Sequence, residues 1–284
     1  MPGDEITDIH IHIQPWDQLQ PAVQERMRRG RADYDDILAM IQDPARFLGY
    51  LDQAGIERAG IINYPSPDIM GFSDEASVFC ARYCSAMPSR LIAFGGVHPR
   101  FTKDAGGDVR RLRDLGVRGI KLHPPHQLFE PADYREKGMK PLGEIYAACQ
   151  EEKIPIMIHT GTSVFPGARS RLGDPMGLDD VAIDFPELKL ILAHGGRPLW
   201  AETAIFLIRR FPNLYMDISG IPPRRLLHYF PRLEEFASKA LYGSDWPAPG
   251  VPSVSAILAG LEKLDLPAEA RAKIMGGTAR KLFP

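Results

Sequence analysis

The segment ITDIHIHI, residues 6–13, carries Asp8, His10 and His12 at alternate positions, with isoleucines between them. In an extended chain every second side chain points to the same side. The pattern therefore predicts a strand with Asp8, His10 and His12 on one face and three isoleucines on the other. Buried imidazoles and carboxylates are costly without partners, so the polar face indicates a functional site.

Polar side chains also stand at the ends of later apolar runs. Lys121 and His123 lie in GIKLHPP, His159 in IPIMIHTG, His194 in LKLILAHGG and Asp245 in KALYGSDWP. Three imidazoles and a carboxylate suit a divalent ion such as Zn²⁺, bound at about 2.0–2.2 Å per ligand. Two histidines at i and i+2 can reach one ion, and such a site can leave a position for water. Each histidine alone could equally be a hydrogen-bonded core residue, but the whole set favours a metal site.

The elements that must position these residues follow a regular alternation. Eight short apolar or β-branched runs are each followed by a helical pattern, as expected for parallel strands joined by right-handed crossovers. Eight such units in about 250 residues predict an α/β protein with a (β/α)8 TIM barrel, whose active sites lie at the carboxyl ends of the strands. An open doubly wound sheet would be expected to show a glycine-rich turn after its first strand, where this chain has HIHIQPWDQ. The strand candidates are residues 6–13, 58–64, 90–99, 117–125, 154–161, 188–196, 213–220 and 239–247.

The helical stretches predict how the barrel is completed. We expect one domain over residues 1–284, with a polar insertion at 14–45 that serves as a lid or an interface, and a closing C-terminal helix at about 267–282. Capping residues and glycines mark the other helix boundaries. The remaining helices are expected near 44–54, 74–87, 104–115, 138–152, 176–185, 199–211, 223–238 and 252–264.

Composition excludes several classes of partner. The chain has 284 residues, 44% hydrophobic, with a formal net charge of -2, so it offers no basic footprint for nucleic acid or membrane. No apolar run approaches the roughly 18 residues that a spanning helix needs, and the first residues lack the pattern of a secretory signal. The three cysteines form no CxxC pair. We expect them to be reduced and the protein to be cytoplasmic.

Five motifs in order, DIHIHI, GIKLHPP, MIHTG, LAHGG and LYGSDWP, resemble the amidohydrolase superfamily, specifically its amidohydrolase-related branch. That branch contains hydrolases of lactones and related compounds and decarboxylases of carboxylated aromatic or ring-cleavage products. The resemblance implies that His10, His12, His159 and Asp245 are metal ligands and that His194 is the catalytic acid/base. Asp245 is also implied as a catalytic residue that accepts a proton. One divalent ion is expected, Zn²⁺ first, with Mn²⁺ or another divalent ion as alternatives and no second ion.

Lys121 leaves alternatives open. Some members of the superfamily carry a carboxylated lysine on strand four that bridges two metals. A lysine that holds a substrate carboxylate, or that is salt-bridged inside the barrel, is the preferred interpretation here.

Further residues are candidates for binding substrate or supporting ligands. Arginine favours forked binding of a carboxylate, although surface ion pairs are the simpler interpretation of the arginines. Asp8 could orient an imidazole, and the tryptophans could form walls or simply pack. His98 and His126 are expected in loops. The candidates are His123, Arg169, Arg171, Arg197, Asp8, Trp16 and Trp246.

The leading hypothesis is a hydrolase in which metal-activated water attacks a carbonyl, lactone or amide carbon of a small carboxylated substrate. The alternative is a metal-dependent decarboxylase at the same site. A binding protein without catalysis is disfavoured because all key positions are chemically competent, and a nuclease is disfavoured by the lack of a basic groove. The expected partner is a small molecule, with no nucleic acid or membrane, and the chain is a candidate homo-oligomer.

Overall fold

Eight parallel strands form the centre of the protein, which is described over residues 5–284 by a computed structural model. The strands follow one another around the sheet in chain order, each paired in parallel with the next. They are β1 Thr7–Ile11, β2 Arg58–Ile62, β3 Leu91–Gly95, β4 Gly119–Leu122, β5 Ile156–His159, β6 Leu190–Ala193, β7 Leu214–Asp217 and β8 Ala240–Leu241.

The last strand returns to the first and closes the barrel. The backbone N–H of Ile9 donates to the Tyr242 carbonyl at 2.9 Å, and that of Asp245 donates to the His10 carbonyl at 2.9 Å. A third bond runs from His12 N–H to the Trp246 carbonyl at 2.8 Å. The predicted (β/α)8 TIM barrel is confirmed. The closure also brings the HxH segment next to Asp245, more than 230 positions away in sequence.

Helices surround the barrel, and their positions follow the predicted stretches closely. Two helices, α1 and α2, occupy the predicted insertion at 14–45, and short 3₁₀ turns follow several strands. The last predicted helix is broken by a π-helical turn at Lys273–Gly277. The α-helices are α1 Pro21–Arg28, α2 Tyr34–Gln42, α3 Pro44–Gln53, α4 Glu75–Cys84, α5 Ala105–Asp114, α6 Pro124–Gln127, α7 Asp133–Glu136, α8 Lys140–Glu151, α9 Leu178–Asp184, α10 Ala201–Arg210, α11 Pro223–Tyr229, α12 Val254–Glu262, α13 Ala268–Ala272 and α14 Thr278–Leu282.

The hydrophobic core has two parts. Alternate strand residues fill the barrel interior, as in a closed sheet whose side chains point in and out by turns; these include Ile62, Phe94, Met157 and Leu241. Phe283 follows α14 and packs on Phe94, with ring centroids 5.3 Å apart. The larger outer cluster lies between the strands and the helices. The apolar filling and the C-terminal segment thus close one end of the barrel and leave its polar residues at the other.

Strand β1 departs from simple alternation. Asp8 is paired with Ala59 and Ile11 with Ile61, so β1 contains one more residue than β2 between these two pairs. This is the geometry of a β-bulge, which re-aims side chains. Ile9 therefore joins the inner cluster while Ile11 joins the outer one. The prediction that the three isoleucines share one face is wrong, because a bulge breaks the two-residue period.

The bulge also gives Asp8 a structural task. Its Oδ1 accepts the backbone N–H of His10 at 3.1 Å and that of Ser244 at 3.0 Å. Asp8 thus ties β1 to the segment after β8.

All three cysteines are buried and unpaired. Across residues 5–284, every helix is too short or too polar to cross a lipid bilayer.

Candidate active site

A cavity of about 350 Å³ opens at the carboxyl ends of the strands. The insertion contributes Gln14 and Met27 to its wall, and the loop after β5 contributes Phe165. Most of the predicted site residues meet here, as the barrel architecture requires. The histidines and charged residues that line it are His10, His12, Lys121, His123, His126, His159, His194, Arg197 and Asp245.

Three ligand atoms converge beside β1 and β8. Oδ1 of Asp245 lies 3.1 Å from Nε2 of His12 and 3.6 Å from Nε2 of His10. Two ligand atoms bound at about 2.0–2.2 Å to one ion lie about 3–3.6 Å apart. The observed separations therefore match a shared ion.

The hydrogen bonds of both histidines leave these Nε2 lone pairs free. Nδ1 of His10 lies 2.5 Å from Oδ2 of Asp217, and Nδ1 of His12 lies 3.3 Å from the Ile62 carbonyl. Both partners can only accept, so each Nδ1 carries the proton. Nε2 of His10 is buried and has no hydrogen-bond partner among residues 5–284. Burial, with the nearby charge of Lys121, lowers the pKa of His10 well below its ordinary value, which keeps the imidazole neutral.

This arrangement calls for a cation. Nε2 of His12 and Oδ1 of Asp245 are both acceptors at 3.1 Å, so a second proton on His12 or a metal ion must lie at this position. Burial raises the pKa of Asp245, but the hydrogen bond with His12 and the electrostatic attraction of nearby groups such as Arg197 outweigh burial, and the net shift is downward. An ionised carboxylate between two imidazoles is a ligand set of the kind that divalent ions prefer.

Asp217 and Ser219, at the end of β7, connect the ligand cluster to His194. The Ser219 hydroxyl lies 2.7 Å from Oδ2 of Asp217, 3.1 Å from Nδ1 of His10 and 3.0 Å from Nδ1 of His194. His194 also donates from Nδ1 to the Ser219 carbonyl at 3.0 Å. Its Nε2 is thus left with the free lone pair. Burial raises the pKa of Asp217 to about 6, so it remains mainly ionised at neutral pH.

Two residues of this cluster adopt strained backbone conformations. His194 and Asp245 have φ values of 68° and 65°, in the left-handed region that is uncommon for residues other than glycine. Such strain concentrates at functional sites because the surrounding structure must hold it. The two positions to which the resemblance assigns catalysis are among the four non-glycine residues with positive φ within residues 5–284.

We refer to His10, His12, Asp217 and Asp245 as the carboxylate side of the cavity, and to Lys121, His123, His126 and His159 as the imidazole side. The imidazole side is a stack of rings. His123 lies between His126, at 3.5 Å between centroids, and His159, at 3.8 Å. Burial comes first among the causes that hold the pKa values of these three rings below their ordinary range, so they stay neutral.

Lys121 supplies the charge of the imidazole side. It is 1% exposed, and its Nζ has no hydrogen-bond partner within residues 5–284. Burial lowers its pKa to about 8. A lysine with this pKa is largely protonated at neutral pH, and it faces a cavity that can bring it an anion.

The family model described as amidohydrolase matches residues 7–284. The chain belongs to the amidohydrolase family. The family is metal-dependent, and the cluster of His10, His12 and Asp245 provides ligand atoms that lie within 4.8 Å of one another. No curated protein matches the chain significantly.

Solved structures share this fold at low sequence identity. An uncharacterised TIM-barrel protein from Bordetella bronchiseptica is 21% identical with a TM-score of 0.77, covering 98% of this chain and 97% of that one. A probable 2-pyrone-4,6-dicarboxylic acid hydrolase from Acinetobacter baumannii, solved with citric acid bound, is 16% identical with a TM-score of 0.66, covering 98% and 99%. A 5-carboxyvanillate decarboxylase variant from Novosphingobium aromaticivorans, solved with bound manganese, is 17% identical with a TM-score of 0.64, covering 98% and 96%. These likenesses establish the shared fold, which serves both hydrolases and decarboxylases.

In this amidohydrolase, some of the predicted site residues join the ligand cluster in the cavity and others do not. His159 lines the cavity, but it lies outside the sets of mutually adjacent ligand atoms found in residues 5–284. Its Nε2 is buried with no hydrogen-bond partner among the described residues, and its ring centroid is 4.7 Å from that of His194. A role for His159 as third ligand stays a prediction. A salt bridge inside the barrel, one of the two preferred alternatives for Lys121, is absent from the described residues, and the other alternative, binding of a substrate carboxylate, stays a prediction.

The arginines divide in the same way. Arg197 lines the cavity of the amidohydrolase and donates to the Thr162 carbonyl at 3.3 Å. Arg169 and Arg171 are exposed and do not line it. Arg171 instead forms an ion pair with Glu130 at 2.9 Å. Direct binding of substrate by Arg169 or Arg171 therefore has no support in the geometry, because their loop directs both side chains to solvent.

The two candidate tryptophans, Trp16 and Trp246, pack away from the cavity. Trp246 is fully buried and stacks on Tyr50 at 4.7 Å between centroids, and Trp16 packs on Tyr34 at 5.6 Å. The interpretation of these residues as packing residues is the one the geometry favours. Neither lines the cavity.

Sequence reasoning missed Asp217, Ser219 and the involvement of His126. His126 lies in helix α6, lines the cavity, and bonds to the Tyr64 hydroxyl at 3.0 Å. The expectation of a plain loop residue is wrong for it. The signal for Asp217 was present, since a carboxylate ends the apolar run LYMD just as His159 ends IMIH.

Proposed function

We propose that the chain is a metal-dependent hydrolase that acts on the carbonyl, lactone or amide carbon of a small carboxylated substrate. The observation that carries the proposal is the convergence of His10, His12 and Asp245 beside His194, within one cavity of about 350 Å³. A cavity of that size suits a small molecule. A small-molecule substrate is accordingly the proposed partner.

His10, His12 and Asp245 are the residues that would hold the ion, with His159 as the further ligand from the imidazole side. Bound there, a divalent ion supplies Lewis-acid polarisation of an oxygen and makes water more acidic. Neutral imidazoles together with one carboxylate favour Zn²⁺ by ligand type, although Mn²⁺ and other divalent ions accept the same set.

His194 is the proposed general base and acid. Its Nδ1–H donates to the Ser219 carbonyl, so Nε2 can take a proton from the attacking water and return it to the leaving group. Burial comes first among the causes that lower the pKa of His194, and a neutral ring is the form that accepts a proton. Asp245 is the second proton acceptor, through whichever oxygen the cation does not occupy.

Lys121 and Arg197 are the proposed anchors for the substrate carboxylate. Each is a cation on the cavity wall with a buried nitrogen that has no hydrogen-bond partner in the described part of the chain, Nζ in Lys121 and Nε in Arg197. A buried polar nitrogen without a partner is costly, so an anionic ligand would satisfy both atoms.

Purified protein supplied with Zn²⁺ or Mn²⁺ should release acid from members of a panel of lactones and carboxylated esters. Asp245→Asn should lower turnover by orders of magnitude while metal content, measured by elemental analysis, largely survives, because an amide oxygen still coordinates. Asp265→Asn, at an exposed loop position, is the matched control. Wild-type turnover in Asp245→Asn would contradict the assigned role.

Decarboxylation is the second candidate, and the stacked imidazoles favour it. Three nearly parallel rings, tilted by 12° and 16° from their neighbours, form a wall suited to a planar conjugated acid. In that reaction His194 or Asp245 would donate the proton that replaces CO₂. Release of CO₂ from carboxylated catechols or muconate-type acids, without acid release from lactones, would favour this candidate over hydrolysis.

A further inference from the structure

A second cavity, of about 540 Å³, adjoins the active site. It lies between the loops that follow β7 and β8 and the first turns of α12. Four residues line both cavities: Arg197, Gly220, Asp245 and Pro249. The two spaces therefore meet beside the residue that would hold both the cation and a proton. We call the second space the side cavity.

Gly220 sits where the two cavities meet and keeps the region open. Its φ is 64°, and a Cβ added there would lie 2.7 Å from Nη2 of Arg197 and 2.8 Å from Oδ2 of Asp245. His194 Nδ1 would be 3.1 Å from the same atom. Any side chain at this position would collide with the proposed reacting groups, so only glycine leaves both the conformation and the space available.

The lining of the side cavity is mainly apolar. Ile221 and Val251 are buried there, Ile257 is half-buried, and four prolines complete the wall. Apart from Arg197 and Asp245 at the junction, its charged side chain is Arg224, which is exposed. Apolar surface of this kind gains free energy by covering the apolar part of a ligand.

We propose that the side cavity is a subsite for an apolar substituent of the substrate, an alkyl or aryl arm attached next to the reacting carbon. The inference rests on the proposed function, since the reacting group must sit at His10, His12 and Asp245. The substrate then spans two spaces, with its carboxylate toward Lys121 and its arm toward Ile221 and Ile257. Unbranched small acids would fill the first space alone.

Alkyl hydroxamic acids of increasing length, from acetohydroxamate to octanohydroxamate, test this on zinc-loaded protein by isothermal titration calorimetry. The hydroxamate head binds divalent ions, and the chain reports the space next to them. Affinity should rise about two- to fourfold for each added methylene that becomes buried. Ala256→Trp, which fills the side cavity from α12, should flatten this rise.

Ala259→Trp is the matched control, because Ala259 is an exposed alanine on the same helix that does not line the side cavity. The readout is the slope of affinity against chain length, so a uniform change for all probes does not count. Ile257→Ala widens the side cavity, so the increase in affinity should continue to hydroxamates with longer chains than in the wild type.

An unchanged slope in Ala256→Trp, or no slope in the wild type, would overturn the subsite. Failure of the protein to bind zinc or acetohydroxamate would instead overturn the proposed metal site, and the subsite with it. The two failures are therefore distinguishable.

Discussion

The two sides of the active-site cavity differ in how their polar groups are satisfied. On the carboxylate side, His10 donates to Asp217 and lies 3.6 Å from Asp245. On the imidazole side, Lys121, His123 and His159 each carry a buried nitrogen without a hydrogen-bond partner in the described chain. Buried polar atoms are almost always paired in folded proteins. Both sides therefore have polar groups that a ligand would complete, but the two sides suit ligands of different kinds.

The difference indicates which kind of ligand each side would bind. Lone pairs and a carboxylate converge on the carboxylate side, so that side is built for a cation. The imidazole side has neutral rings and one ammonium group, so it is built for an anion or for a planar conjugated group. A substrate held between the two sides would present its reacting carbon to the cation and its carboxylate to Lys121.

Removing a ligand from the carboxylate side should give the largest effect. His12→Ala deletes an Nε2 that lies 3.1 Å from Asp245. We expect metal affinity to fall by more than about 100-fold, beyond the loss typical of outer hydrogen-bond partners. Competition with a chromophoric chelator measures it. His228→Ala, an exposed histidine on α11, should leave affinity unchanged, and equal affinities in the two variants would break the assignment of the carboxylate side.

Asp217→Asn should have the next largest effect. The amide can no longer accept a fully charged hydrogen bond from Nδ1 of His10, so Nε2 loses basicity and orientation. Outer partners of this kind are worth about 10–100-fold in metal affinity. The same chelator competition applies, with Asp184→Asn on the surface as control and thermal unfolding to confirm the fold. Undiminished affinity would show that Ser219 alone orients His10.

Lys121→Met tests the imidazole side with a side chain of similar length and no charge. A hydrogen bond to a charged group is worth about 1.5–3 kcal/mol, so KM for a carboxylated substrate should rise about 10- to 100-fold while metal content stays unchanged. Loss of metal instead would place Lys121 among the ligands.

The pH dependence of substrate binding sharpens the same assignment. Burial lowers the pKa of Lys121 to about 8, so its ammonium is present below that pH and lost above it. Affinity for an anionic substrate should therefore decline as pH rises through about 8, and the decline should be absent in Lys121→Met. KM should be measured from about pH 7 to about pH 9, which is about one unit on either side of that pKa. A wild-type KM that does not change over this range would contradict the role of Lys121.

The sequence predicts much of this comparison, and its failures have physical causes. Alternating apolar runs and helices predict the barrel because each strand must bury both faces. The bulge in β1 could not be predicted, since the pairing of Asp8 with Ala59 depends on the neighbouring strand. Asp217 was missed although it ends β7, because a single carboxylate after an apolar run has no partner visible in the local sequence.

The smallest expected effect separates two arginines that sequence alone does not distinguish. Arg171 is exposed and paired with Glu130, and exposed ion pairs contribute about 0–1 kcal/mol. Arg171→Ala should therefore leave KM within about twofold of the wild type. Arg197→Ala, on the cavity wall, should raise KM about tenfold or more by removing a charged donor. An exposed side chain such as that of Arg171 can contribute to substrate binding only if its loop moves. A loop that closes over the substrate would bring Arg171 inward. Equal effects of the two substitutions on KM would reveal such a closure.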